Sequence, residues 1–219
     1  IQLPVLYSLR NCPYAMRARL AIYASRQQVE LRDLVLSNKP LELLQASPKG
    51  TVPVLVQADG KVIEQSLEVM LWALTLSDPD DHLDNADPQA LDEMLALITV
   101  FDTEFKVCLE KYRCSKRYHE ASLIEDREAC ETYLKGLEQR LTQHKYLISN
   151  SPSLVDLALL PFIRQFARVE RQWYRQSPYP NLRDWLNSYL QSRMFSKVMT
   201  QHPLWLETGE GIVFSANDL

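Results

Sequence analysis

The feature that most constrains this chain lies near its start. An apolar run with little helical character, Pro4-Val5-Leu6-Tyr7-Ser8-Leu9, stops at Arg10-Asn11-Cys12-Pro13 and gives way to Tyr14-Ala15-Met16-Arg17-Ala18-Arg19-Leu20-Ala21-Ile22-Tyr23. The first part reads as a strand and the second as a helix. Proline's fixed φ and missing N–H do no harm at the first helical position, so Pro13 marks the helix start and leaves Asn11 or Cys12 as its cap. A thiol is thereby set against the unpaired N–H groups and positive dipole end of a helix, a place that favours an anion and turns cysteine into a standing nucleophile. Arg10 and Arg17 add positive charge nearby. Taken alone, Cys12 has a second reading as a small buried hydrophobe, the usual fate of a free cysteine.

The next sixty residues supply the frame. Val29 to Val35 alternates as a half-buried strand, which with the first strand and helix makes a right-handed, parallel βαβ unit. Asn38 is expected to cap a short helix with Pro40 near its start, ended by Ser47-Pro48-Lys49-Gly50. Val52-Pro53-Val54-Leu55-Val56 and Lys61-Val62-Ile63 read as strands joined through Ala58-Asp59-Gly60, a hairpin signal, and Gln65-Ser66 opens a helix over Leu67 to Leu76. The order is β-α-β-α-β-β-α. Pro53 forfeits a ladder bond and belongs on an edge, a bulge or a cis turn, although only about one X-Pro bond in twenty is cis.

Residues 77–88, acidic and bounded by Pro79 and Pro88, carry no periodicity and mark a linker between a domain over 1–76 and a second over 89–219. Gln89 to about Tyr118 and Leu123 to about His144 have helical spacing, and Ser153-Leu154-Val155-Asp156 is a capping box ahead of an apolar run that continues as one helix or as a pair broken at Pro161. Further helices are expected over Asn181 to Gln191 and Phe195 to Thr200, so this half reads as all-α. Arg164, Arg168, Arg171 and Arg175 form a basic stripe, but Phe162, Phe166, Val169 and Trp173 repeat the spacing on the opposite face, and amphipathicity accounts for both. The tail Gly209 to Phe214 is read either as a cover for the site or as a frayed end.

Composition removes several classes of function. The 219 residues are 46% hydrophobic, enough for a packed core, and the net charge of −4 argues against a nucleic-acid footprint. No apolar run has membrane-span length and no signal for export stands out, so a soluble, cytoplasmic protein is expected. Cys12, Cys108, Cys114 and Cys130 lack paired metal-ligand spacing and read as reduced thiols; His82, His119, His144 and His202 stand apart, and no metal is expected.

Cys12-Pro13-Tyr14-Ala15 after a strand, Asn38-Lys39-Pro40, Thr51-Val52-Pro53-Val54-Leu55 and Gln65-Ser66 at a helix start together resemble the thioredoxin-like, glutathione-binding half of the cytosolic glutathione S-transferase superfamily. The Cys-Pro-Tyr-Ala and Asn-Lys-Pro stretches are most similar to omega-type, cysteine-containing members. The resemblance implies a thioredoxin-like α/β N-terminal domain followed by an all-α C-terminal domain, with glutathione as co-substrate and a homodimer as the assembly. It makes Cys12 the catalytic residue. Tyr14, Lys39, Val52, a cis Pro53, Gln65 and Ser66 become the glutathione-binding set, in which Val52 offers its backbone to the cysteinyl part like one more strand and Ser66 at its helix start holds the γ-glutamyl carboxylate. Many members carry Glu where this chain has Gln65, which implies weaker electrostatic help to the substrate ammonium. Phe105, Cys108 and Tyr112 on one helix face are candidates for a second-substrate groove, or equally for core.

Two chemistries are compatible with that fold. In the preferred one the enzyme's own cysteine forms a mixed disulfide with glutathione; position 15 is Ala, so a second glutathione must resolve it, and the reactions are removal of glutathione from mixed disulfides or reduction of dehydroascorbate-type oxidants. In the other, a hydroxyl of Tyr7, Ser8 or Tyr14 steadies the glutathione thiolate for attack on an electrophile. A third possibility, from a different class, is a non-catalytic partner protein on the same fold.

Overall fold

A computed structural model describes residues 2–217, which fall into two compact units, 2–80 with 191–217, and Asp81–Leu190. In the first unit β1 (Val5–Ser8) runs parallel to β2 (Val29–Asp33) and antiparallel to β3 (Val54–Val56), which pairs in turn with β4 (Val62–Ile63). Helix α1 (Pro13–Ser25) bridges β1 and β2 and packs along α3 (Ser66–Leu76), while α2 (Leu41–Ala46) lies between β2 and β3. Leu6, Tyr7 and Ser8 of the central strand are all buried, the pattern of a strand covered on both faces.

The segment expected to close an all-α half does something else. It supplies α10 (Arg193–Val198), α11 (Trp205–Thr208) and β5 (Ile212–Phe214), and β5 pairs antiparallel with β2 to complete a sheet of order β4-β3-β1-β2-β5. Three residues of alternation beside two glycines are too short a pattern to announce a strand; the unsatisfied edge of β2 makes them one. Near β2, Asn38 does not cap α2. Its N–H closes a turn onto Val35 O at 3.2 Å, and Pro40 precedes the helix without a side-chain cap.

The second unit is helical: α4 (Ala90–Val100), α5 (Lys106–Arg117), α6 (Leu123–Gln143), α7 (Leu154–Ala167), α8 (Arg171–Arg175) and α9 (Pro180–Leu190). A π-helical turn, Phe101–Phe105, joins α4 to α5 in one continuous rod. Helix α7 runs through Pro161 without breaking, and its start is built on Asp156. That buried carboxylate accepts from Ser153 N and Oγ at 2.9 Å, from Leu147 N at 3.0 Å and from Trp185 Nε1 at 2.8 Å. Burial nonetheless holds the Asp156 carboxyl above its usual range, the hydrogen bonds opposing that effect. Of the arginine stripe, Arg168, Arg171 and Arg175 are exposed, with Phe162 and Phe166 buried opposite.

Candidate active site

Cys12 is the N-cap of α1, with φ −75° and ψ 122°, and Pro13 follows at the head of the helix. Its N–H donates to Leu9 O at 3.1 Å, closing a tight turn, and its C=O accepts from Met16 N at 2.9 Å to begin the helix. The first turn of α1 carries no acidic side chain. Cys12 is partly exposed and packs against a core cluster made of Tyr7, Ala15, Leu34, Leu43, Val52 and Val54. Strand end and helix start thus set Cys12 against the cluster that holds Val52, forty residues further along the chain.

The Val52–Pro53 peptide bond is cis. Among the described residues, the N–H and C=O of Val52 have no backbone partner, so both are available just before β3 begins. Gly50 sits at φ +63°, the left-handed region where glycine is at ease, and a side chain there would meet Lys39 Nζ at 3.0 Å and Leu44 Cδ2 at 3.1 Å. Lys39 is therefore laid against the turn that leads into Val52, with its own surface exposed. At the start of α3, Gln65 is the exposed N-cap and Ser66, 7% accessible, is the first helical residue; no side chain caps the N–H groups there. Lys49 pairs with Glu64 at 3.4 Å just before that helix. Tyr14 is half-buried in the first turn of α1.

Two arginines from α1 were not singled out as buried by the sequence. Arg17 and Arg19 are each 1% accessible. Arg17 Nη1 lies 3.5 Å from Ser66 Oγ. Arg19 reaches the turn behind Cys12, donating from Nη1 to Ser8 Oγ at 2.6 Å and Leu9 O at 3.2 Å, and from Nη2 to Arg10 O at 2.6 Å. The signal for both was available: α1 has no polar face, so any charge it carries must go inside.

These contacts also dispose of two hydroxyls. Ser8 is fully buried against Arg19, and Tyr7 is 3% accessible with its oxygen accepting from Arg32 Nη1 at 2.9 Å. Burial raises the Tyr7 phenol above its usual range, and Arg32 only partly offsets that.

Phe105 and Tyr112 belong to the core of the helical unit. Both are fully buried, within ring-centroid distances of 6.3 and 5.3 Å of Phe166, and Tyr112 donates to Glu170 at 2.8 Å. Cys108 is partly exposed, and the buried Cys130 thiol is pushed up to about 12 by desolvation, with Cys108 as the next contribution. Among the described residues no three His, Cys, Asp or Glu side chains gather as a metal site would require, and no helix is long and apolar enough to cross a membrane.

Comparison with known proteins assigns this arrangement to a family. Residues 6–80 match the model of the glutathione S-transferase N-terminal domain, and residues 88–188 that of its C-terminal domain. The chain belongs to the glutathione S-transferase family. It is 28% identical to mouse (Mus musculus) glutathione S-transferase omega-1 over 166 residues, 75% of this chain and 68% of the mouse protein. Over 70 residues, 32% of this chain, it is 36% identical to a "Probable glutathione transferase" of Aplysia californica, covering 76% of that protein. The fold of this glutathione transferase superposes on the crystal structure of a glutathione S-transferase from Methylobacillus flagellatus KT with GSH bound, with TM-score 0.74 at 20% identity over 90% of this chain and 100% of that one.

Proposed function

We propose that this glutathione transferase acts through Cys12, as a monothiol enzyme that moves glutathione between sulfur atoms. The observation that carries the reading is the contrast at the β1–α1 junction. The thiol at the helix cap is partly exposed, whereas the hydroxyls of Tyr7 and Ser8 are buried and committed to Arg32 and Arg19. Its similarity to omega-type relatives and to a glutathione-bound structure supports glutathione as the co-substrate.

In the proposed cycle the Cys12 thiolate attacks the glutathionyl sulfur of a mixed disulfide. The Cys12–glutathione S–S bond forms as the old S–S bond breaks, and the leaving thiolate takes up a proton. A second glutathione thiolate then attacks the same glutathionyl sulfur, forming oxidised glutathione and returning Cys12 as thiolate. The net reaction consumes one glutathione thiol per mixed disulfide: the substrate thiol is released, and that glutathione leaves in oxidised glutathione, joined to the glutathionyl group taken from the substrate. Ala15 provides no second thiol to intervene. The Val52 N–H and C=O pair with the cysteinyl backbone of glutathione, as an added strand would. Ser66 and the open N–H groups of α3 take the γ-glutamyl carboxylate, Gln65 accepts from its ammonium, and Lys39 and Tyr14 flank the bound peptide. The enzyme works as a cytosolic homodimer on small disulfides or dehydroascorbate-type oxidants.

The test is glutathione-dependent reduction of a small glutathionyl disulfide by the wild type and by Cys12→Ser, alongside conjugation of an aryl halide. Reduction that disappears in the variant is the expected result. Conjugation that persists in Cys12→Ser while neither protein reduces the disulfide would move the chemistry to a hydroxyl, and silence in both assays would leave a binding protein.

A further inference from the structure

Arg19 is an expensive residue to place where it is. Its guanidinium is 1% accessible, and desolvation lowers its affinity for the proton to about 10, a penalty that the nearby Asp33 carboxylate only partly offsets. No hydrogen bond joins it to that carboxylate: Asp33 Oδ1 is buried without a partner. The fork spends its N–H groups on one small region instead. Nη1 holds Ser8 Oγ and Leu9 O, Nη2 holds Arg10 O, Nε donates to Val198 O at 3.0 Å, and Nη2 also lies 3.8 Å from Met199 Sδ. With one N–H on Nε and two on each Nη, every donor of the guanidinium has an acceptor.

The carbonyls of Leu9 and Arg10 stand three and two residues before Cys12, and Leu9 O also receives the Cys12 N–H. The turn that sets the sulfur position is therefore fastened from behind at two of its carbonyls, each of which accepts from a fixed cation. The other end of the fork grips the last turn of α10, so residues from opposite ends of the sequence meet on one side chain. Arg10 adds a second tie from the turn to this segment, its Nη1 donating to Met199 O at 3.4 Å. A fold needing only bulk here would be served as well by an apolar side chain, without the desolvation cost.

We infer that Arg19 is the positioning residue of Cys12, holding the Leu9–Cys12 turn in the geometry for sulfur attack and supplying a buried positive charge beside the thiolate. The inference rests on the Cys12 reading given above, and it deepens that reading by naming what aims the nucleophile. A displacement of the reacting atom by about 1 Å costs on the order of 100-fold in rate.

The experiment compares wild type, Arg19→Met and Arg19→Lys as full-length proteins. Two assays are run: the rate of Cys12 alkylation by a haloacetamide at pH 7, followed by mass spectrometry, and the kcat and KM of glutathionyl disulfide reduction. Arg19→Met is expected to lose about 100-fold in both alkylation and kcat with KM for glutathione changed by no more than about twofold, and Arg19→Lys to recover about tenfold of the loss. A folded Arg19→Met that alkylates and turns over within about threefold of wild type overturns the inference. If Arg19→Met does not fold, Arg19→Lys decides alone, by a loss of about tenfold or by its absence. Failure of both to fold overturns it too, because the guanidinium then serves the fold. Alkylation needs no turnover, so a Cys12→Ser protein that still reduces the disulfide would sink the proposed function and leave the positioning test readable.

Discussion

Gly211 leaves the space that Glu30 fills. A Cβ on this glycine would stand 2.6 Å from Glu30 Cδ and closer still to Cγ, and Glu30 is the residue whose carboxylate holds Arg32 Nε at 2.5 Å. Arg32 in turn lies 4.4 Å from the centroid of the Trp205 ring and donates to Tyr7 OH. A bare backbone in the tail, an acid and a base on β2, and an aromatic ring from α11 thus make one interlocked group. Gly211→Ala is expected to push Glu30 off Arg32 and lower stability by about 1 kcal/mol. Equilibrium urea unfolding measures it, and Glu30→Ala in the same background should remove most of the difference.

Tyr7→Phe removes a hydroxyl that serves Arg32. Disulfide reduction should stay within about twofold of wild type, while stability falls by about 2 kcal/mol for the lost hydrogen bond to a charged group. A fall in kcat of tenfold or more would return Tyr7 to the chemistry.

Gln65→Glu places a full negative charge at the cap of α3, in reach of the proposed γ-glutamyl ammonium. Charge-assisted hydrogen bonds are roughly twice as strong as neutral ones, so KM for glutathione should fall by about threefold to tenfold at low ionic strength and by less at high salt. An unchanged KM at both salt concentrations would place the substrate ammonium elsewhere.

His202 gives a pH dependence. Burial is the main cause that lowers its proton affinity below the usual histidine range; Asp33 opposes this, while Arg19 and Lys197 reinforce it. A base whose folded-state pKa lies below its unfolded value contributes stability that is fully present above the unfolded value near 6.5 and is lost as pH falls through that value toward the folded one, since only the unfolded chain binds the proton readily. The urea midpoint of the wild type should therefore decline below about pH 6.5 relative to that of His202→Gln, with parallel curves at pH 8. Curves that stay parallel down to pH 5 would refute this.

Asp156→Ala strips four donors of their common acceptor inside the helical unit. A loss of about 3–5 kcal/mol is expected, with Asp156→Asn intermediate because an amide oxygen still accepts. Thermal unfolding followed by far-UV circular dichroism checks the order.

The parts of this structure legible in the sequence are those in which a few neighbouring residues decide the geometry. Pro13 after a strand put the helix cap at Asn11 or Cys12, Ser153 and Asp156 announced their own hydrogen bonds, and Asp59-Gly60 announced a hairpin turn. What stayed hidden depended on partners far along the chain. Ile212–Phe214 becomes a strand because β2 offers it an edge, Asn38 turns back to Val35 instead of capping, and the roles of Arg19 appear only when Val198 arrives beside it. Local preference gave the cis geometry at Val52–Pro53 poor odds, and family resemblance pointed to it correctly. Phe105 and Tyr112 show the ambiguity of an apolar helical stripe, whose spacing is the same for a groove wall and for a core.

The pairing of β5 with β2 has a consequence for how the molecule is made. A chain growing from its N-terminus presents the outer edge of β2 roughly 180 residues before its partner strand is synthesised, and throughout that interval the edge is open to the wrong neighbour. Both the sheet and the turn that carries Cys12 await the same late segment, which brings β5 to one and Val198 to the other. A nascent chain stalled before residue 198 would carry its cysteine on an unfastened loop, so the thiol site is completed only when a segment more than 180 residues beyond Cys12 has been made.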